Sequence, residues 1–148
     1  MEWFDFLVSH ANINSGMKKL FREKLRGLGV FIVYLFGSRS RGKGFPMSDV
    51  DIGVVLKASI PAGDARSIYQ SLYEIFTELY PSSKVDIVLL QCAPLTLQYS
   101  AIREGKILFE EDPIHTADYE NGVINRYLDF IPILDYFDSM VARRYAQS

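Results

Sequence analysis

The sequence has little of what several protein classes require. It holds one cysteine, Cys92, and two histidines among 148 residues. A single thiol forms no internal disulfide, and so few sulfur and imidazole groups exclude a multi-cysteine zinc site. We expect Cys92 to be a packed free thiol in a reducing compartment. The net charge of −2 also lacks the basic excess that is typical of proteins that bind duplex DNA.

Long apolar runs are missing as well. The longest clean run, Val30 to Phe36, is far shorter than the ~20 residues of a membrane span. The first residues, Met1 to Phe6, carry acids where a signal peptide carries basic residues. We therefore expect a soluble, cytoplasmic protein that does not associate with a membrane.

Apolar and aromatic residues are plentiful, at 49% and 14% of the chain, and they suffice for a hydrophobic core. Their spacing distinguishes short buried strands from amphipathic helices. The predicted strands are Phe31–Phe36, Val50–Leu56, Val85–Leu90 and a shorter Ile107–Phe109, and the predicted helices span 13–27, 62–79 and 94–104. This order predicts an α/β (α+β) fold, with a small mixed sheet flanked by helices.

The C-terminal part of the sequence predicts a helical extension. Asp112 and Pro113 are typical of an N-cap followed by proline at the first helical position. From Tyr119 to Tyr145 apolar residues recur every three or four positions, which predicts one or two amphipathic helices with a kink or break at Pro132. We expect this stripe to pack mainly in the core and partly in an interface. One domain is expected over 1–148, with a core at about 13–110 and the extension at about 113–148.

Three acids carry the strongest chemical signal. Asp49 and Asp51 start the second strand two residues apart, so they lie on one face of it with Cα atoms ~6.7 Å apart. Asp86 interrupts the apolar third strand and can face the same way if the two strands pair. Two carboxylates ~4 Å apart repel by about 4 kcal/mol at an effective dielectric constant of about 20. The cluster therefore calls for a cation, and hard oxygen ligands favour Mg²⁺.

The loop before these acids is suited to phosphate. Gly37 allows the backbone to approach a phosphate closely, and the Ser38 hydroxyl and the following N–H groups can bind its oxygens. Arg39, Arg41 and Lys43 add positive charge.

A P-loop is the alternative interpretation, because Gly37 to Lys43 fits the spacing G-x-x-x-x-G-K. That motif needs serine or threonine at the next position to bind Mg²⁺, and residue 44 is glycine. Pro46 also interrupts the helix that should follow. The pattern therefore disfavours a P-loop.

The segment Gly37-Ser38, ten residues, Asp49-Val50-Asp51 resembles the G-S-x10-D-x-D signature of the DNA polymerase beta-like nucleotidyltransferase superfamily. Asp86 is similar to the third acid of that superfamily. The run Gly-Ser-Arg-Ser-Arg-Gly, with Ser48 before the acids, looks specifically like the minimal nucleotidyltransferases, the MntA-like antitoxins. The resemblance covers roughly residues 13–110 and implies a nucleotidyltransferase fold.

The resemblance also implies roles for individual residues. The expected nucleotide-binding residues are Gly37, Ser38, Arg41 and Ser48. The expected catalytic and metal-binding residues are Asp49, Asp51 and Asp86. Among these acids, the first two would hold two Mg²⁺ ions and the third would help to activate the attacking hydroxyl.

The activity implied by this resemblance is Mg²⁺-dependent transfer of AMP from ATP to a hydroxyl group, with release of pyrophosphate. Antitoxins of this kind pair with a HEPN-domain ribonuclease toxin and adenylylate it on tyrosine, so ATP and such a toxin are the expected substrate and partner. Two alternatives stay open: a small-molecule nucleotidyltransferase, as for aminoglycosides, and a protein that neutralises its partner by contact alone. The sequence also leaves open whether the chain forms a homo-oligomer.

Overall fold

The structure is a computed structural model, and it describes residues 15–37, 49–58 and 63–147. This part of the chain contains four strands and four α-helices, which confirms the predicted α/β class. In chain order the elements are α1 (Ser15–Gly27), β1 (Val30–Phe36), β2 (Val50–Leu56), α2 (Ala65–Leu79), β3 (Val85–Leu89), α3 (Leu95–Glu104), β4 (Lys106–Glu110) and α4 (Pro113–Ala146).

The four strands form one mixed sheet in the order β3-β2-β1-β4. Strand β1 pairs antiparallel with both β2 and β4, whereas β2 and β3 are parallel. Parallel neighbours need a crossover connection, and α2 provides it. As a result, β2 and β3 begin at the same end of the sheet, where β1 ends.

Helices cover both faces of the sheet. On one face α1 and α2 pack against the strands, and Leu25, Leu72 and Phe76 are fully buried there. On the other face α3 and the first part of α4 cover a smaller cluster that includes Ile32 and Tyr34. Burial of each such large side chain stabilises the fold by ~1.5–3 kcal/mol. The sheet is thereby the middle of three layers.

The predicted start of α4 is confirmed. Oδ1 of Asp112 accepts a hydrogen bond from the Ile114 N–H at 3.0 Å, and proline occupies the first helical turn. The buried Tyr34 hydroxyl donates to Oε1 of Glu120 at 2.8 Å, which ties α4 to β1. These contacts fix the first half of the helix against the sheet.

The second half of α4 decides two predictions. The helix is continuous through Pro132, so of the two predicted alternatives one long helix is confirmed and a break is not found. Pro132 is exposed, and water can satisfy the carbonyl group of Leu128 that lacks its usual N–H donor. The expected core packing is wrong for the second half of the stripe, because residues 135–147 are all exposed, with Phe137 at 59% and Tyr145 at 78%. The stripe therefore extends beyond the sheet and α3, and an interface over its exposed part stays a prediction.

Two local predictions are corrected as well. Strand β3 ends at Leu89, one residue early, because Leu90–Cys92 form a short 3-10 helix. Leu90 turns into the core and is fully buried, whereas the thiol of Cys92 is exposed and not packed. Within the described ranges, no helix is both long enough and apolar enough to cross a membrane.

Candidate active site

Two of the three predicted acids are neighbours on adjacent strands. Strands β2 and β3 run parallel in a register that pairs Asp51 with Asp86. Phe36, the last residue of β1, pairs with Asp51 from the other side. Because paired residues on adjacent strands present their side chains on the same face, both carboxylates lie on the face covered by α3 and α4.

Asp49 lies immediately before β2, at the exposed rim of the same end of the sheet. The N–H of the next residue, Val50, donates to the carbonyl oxygen of Lys84 at 2.8 Å. This bond extends the pairing of the two parallel strands by one residue and aligns the two Asp-bearing segments. The predicted triad is therefore an adjacent pair, Asp51 and Asp86, with Asp49 beside it at the rim.

The electrostatics of Asp51 reflect this arrangement. Burial raises the pKa of its carboxyl group, and the negative charges of Asp86 and Asp49 raise it further, while the charge of Lys84 lowers it. The ionised form of Asp51 is therefore disfavoured by the fold itself. A bound cation would stabilise the ionised form and so offset this unfavourable free energy.

The acids fit a cation that brings other ligands with it. In the part of the chain that the structure describes, no three His, Cys, Asp or Glu side chains converge into a complete metal site. Mg²⁺ does not need one, since it is commonly held by one or two carboxylates, waters and substrate phosphates. The oxygen donors of Asp51 and Asp86 match that requirement.

Gly37 lies directly against this acid pair. Its backbone φ is +77°, a conformation that favours glycine. A β carbon at this position would overlap Oδ2 of Asp51. The predicted phosphate-binding glycine is therefore at the site, and any side chain there would displace a predicted metal ligand. The other predicted nucleotide-binding residues, Ser38, Arg41 and Ser48, lie outside the described residues, as do Arg39 and Lys43.

The sequence reasoning missed Lys84. Its Nζ lies 3.5 Å from Oδ2 of Asp86, and the two side chains are 68% and 48% exposed. The signal was present, because Lys84 precedes Asp86 by two residues, the same alternation that links Asp49 and Asp51.

The opposite end of the sheet differs in its charges. A cavity of about 750 Å³ lies there, lined by Phe31, Val55, Leu56, Lys57, Glu111, Asp112, His115 and Tyr119. Lys57 Nζ is 2.6 Å from Oε1 of Glu111, and His115 Nδ1 is 3.1 Å from Oδ2 of Asp112. Each of the two acids in this cavity has a basic partner of its own, whereas Asp49, Asp51 and Asp86 share the single charge of Lys84. The end of the sheet with the three acids is therefore the better candidate for chemistry on a charged substrate.

Residues 17–114 match the family model described as polymerase beta, nucleotidyltransferase. The match spans well over half of the chain, so the chain belongs to this nucleotidyltransferase family, as the signature around Gly37 and Asp51 predicted. A search of the curated proteins found no match.

Solved structures show the same fold. A toxin–antitoxin crystal structure with AMP-PNP is 25% identical, with a TM-score of 0.60 over 83% of this chain and 98% of that chain. A tri-AMPylated Shewanella oneidensis HEPN toxin in complex with MNT antitoxin gives 24% identity and a TM-score of 0.52, over 84% of this chain and 99% of that one. The toxin–antitoxin pair MntA–HepT gives 23% identity and the same TM-score of 0.52, over 82% and 98%. The fold is that of the MNT antitoxins.

Proposed function

We propose that this nucleotidyltransferase transfers AMP from ATP to a tyrosine hydroxyl of a cognate HEPN-domain toxin, and so acts as an antitoxin in the cytoplasm. The observation that carries the proposal is the in-register pair of Asp51 and Asp86, with Asp49 and Gly37 beside it. Its support from relatives is that one similar structure holds AMP-PNP and another contains an AMPylated HEPN toxin.

In the proposed reaction the acceptor oxygen attacks the α-phosphorus of ATP. A bond forms between the acceptor oxygen and the α-phosphorus, the bond from the α-phosphorus to the oxygen that bridges the α- and β-phosphates breaks, and pyrophosphate leaves. Asp49, Asp51 and Asp86 would hold Mg²⁺, which when bound neutralises the phosphate charge. Asp86 would help to take the proton of the acceptor hydroxyl, and Gly37 leaves room for phosphate near the acids. Such transfer depends mainly on positioning and charge, so this small set of groups suffices.

The surface of the chain favours a protein acceptor over a small molecule. Beyond residue 134, α4 exposes Tyr136, Phe137, Met140, Val141 and Tyr145, each 49–78% exposed. Exposed apolar side chains grouped on one helix are typical of protein interaction surfaces. A protein acceptor could cover this surface, which a small molecule is too small to do.

The test is incubation with α-labelled ATP, Mg²⁺ and the cognate HEPN-domain protein. We expect label on a tyrosine of the toxin, located by mass spectrometry, together with loss of toxin activity. The Asp49→Asn, Asp51→Asn variant should transfer none, whereas a matched pair at the other end of the sheet, Glu110→Gln with Glu111→Gln, should transfer normally.

Two outcomes would overturn the proposal. Full neutralisation by the Asp49→Asn, Asp51→Asn variant would show that contact alone is the antitoxic mechanism. Absence of label on the toxin, combined with AMP transfer to an aminoglycoside, would assign the small-molecule function instead.

A further inference from the structure

We infer that Lys84 is a displaceable counter-charge of the acid pair, which a divalent cation replaces when it arrives with the nucleotide. The inference rests on the proposed function and adds to it a positioning residue that lies outside the G-S-x10-D-x-D signature. Its consequence is that binding of metal and binding of nucleotide become coupled.

The backbone places Lys84 at the site. Its carbonyl oxygen accepts the Val50 N–H at 2.8 Å, so the residue is fixed beside the segment that carries Asp49 and Asp51. Lys84 immediately precedes β3, and its Nζ lies 3.5 Å from Oδ2 of Asp86, two residues on. The same ammonium lowers the pKa of Asp51. One lysine therefore acts on both carboxylates of the pair.

The ion pair between Lys84 and Asp86 is weak enough for a metal ion to displace the lysine. Both side chains are well exposed, at 68% and 48%, and pairs in such surroundings contribute little to stability. A divalent cation interacts with a carboxylate about twice as strongly as an ammonium group at equal distance. Metal binding at Asp86 must therefore displace the ammonium group or work against its repulsion.

Once displaced from Asp86, the ammonium group of Lys84 is stabilised by a new anionic partner, and the triphosphate of ATP provides one. A divalent cation that arrives alone meets the positive charge of Lys84 without compensation. A cation that arrives with ATP brings phosphate oxygens, which can accept hydrogen bonds from the ammonium group of Lys84. Lys84 should thus weaken the binding of free metal and strengthen the binding of nucleotide in the presence of metal, which is a coupling free energy between two ligands.

The experiment measures the two affinities separately. Mn²⁺ binding to the full-length protein without nucleotide is followed by electron paramagnetic resonance, and binding of a fluorescent non-hydrolysable ATP analogue is measured at saturating Mg²⁺. The variants are Lys84→Gln, Lys84→Arg and, as a control with the same loss of charge at the opposite end of the sheet, Lys57→Gln. Asp51→Asn tests whether the acids hold the metal at all.

We expect Lys84→Gln to bind Mn²⁺ roughly three- to tenfold more tightly and the nucleotide severalfold more weakly, from the loss of one charge close to the site. Lys84→Arg and Lys57→Gln should stay within about twofold of the unmodified protein, because the charge is retained or is distant. A purely structural role would not move the two affinities in opposite directions.

Unchanged or weaker Mn²⁺ binding in Lys84→Gln, with binding still abolished by Asp51→Asn, would overturn the inference and leave the proposed function standing. Mn²⁺ binding that survives Asp51→Asn would instead overturn the metal site of the proposed function, and the inference with it.

Discussion

Acidic and basic side chains are arranged differently at the two ends of the four-stranded sheet. At one end, Asp51 and Asp86 stand side by side, and the pKa of Asp51 is raised by burial and by its acidic neighbours. At the other end, Lys57 pairs with Glu111 and His115 lies against Asp112. The first end holds three acids that share one lysine, Lys84, whereas Glu111 and Asp112 at the second end have one basic partner each.

This difference in charge indicates a ligand-binding role at one end of the sheet and a structural role at the other. Like charges that a fold holds together lower its stability, so they persist where a ligand compensates them. Paired charges need no ligand and contribute to stability themselves, if only slightly. The end with the cavity is thus compatible with a structural role, and the end with the acids calls for a cation and a phosphate.

The largest expected difference between the two ends appears when one acid is removed from each of them in separate variants. Asp86→Asn should lower the rate of AMP transfer by about 100-fold or more, since loss of a single group that stabilises charge at a reacting centre has effects of this size. Glu111→Gln removes one acid from the paired end and should leave the rate within about twofold. Initial rates with α-labelled ATP measure both, and comparable losses in the two variants would contradict the contrast between the ends.

A second comparison uses the two glycines that flank β1. Gly29 and Gly37 both have positive φ, at +75° and +77°, but only a β carbon at Gly37 meets Asp51. Each substitution by alanine should lower the free energy of unfolding by about 1–2 kcal/mol through backbone strain. Gly37→Ala should in addition lower AMP transfer by about 100-fold, because small displacements of reacting groups have effects of this order.

Thermal unfolding and transfer rates of the two alanine variants provide the measurement. Gly29→Ala serves as the control for backbone strain at the other end of the same strand. If the two variants lose transfer equally, the contact between Gly37 and Asp51 is not what places the carboxylate.

The smallest effects concern stability without metal. Lys57→Gln breaks the ion pair with Glu111 and should lower the free energy of unfolding by about 0.5 kcal/mol. Asp51→Asn should raise it at pH 7, since the ionised carboxylate is disfavoured in the folded state. The substitutions at the two ends thus act with opposite sign.

The pH dependence of the Asp51 effect follows from the direction of its pKa shift. The pKa in the folded protein lies above the ordinary value of 3.8, so the penalty develops as the pH rises through the raised pKa. It is absent below the ordinary value. The gap in Tm between Asp51→Asn and the unmodified protein should therefore close as the pH falls from 7 toward 4. A gap that widens instead would show that Asp51 does not carry this charge penalty.

Much of the fold could be predicted from local patterns. The predicted strand Val50–Leu56 is confirmed with the same bounds, and the helix cap predicted from Asp112 and Pro113 is confirmed as well. The end of α4 could not be predicted, because the stripe from Tyr119 to Tyr145 keeps the same period where it packs and where it is exposed. Periodicity reports which side of a helix is apolar and says nothing about what covers it. The division into a core at about 13–110 and an extension at about 113–148 stays a prediction.

The sequence by itself determined the elements, the alternation that puts Asp49 and Asp51 on one side of a strand, and the glycine before them, since these depend on backbone geometry over a few residues. Only the tertiary structure decided that β2 and β3 pair in the register that joins Asp51 to Asp86, that Gly37 lies against that carboxylate, and that Lys84 reaches Asp86. Register between strands separated by a helix is set by packing of the whole sheet, and no local pattern encodes it.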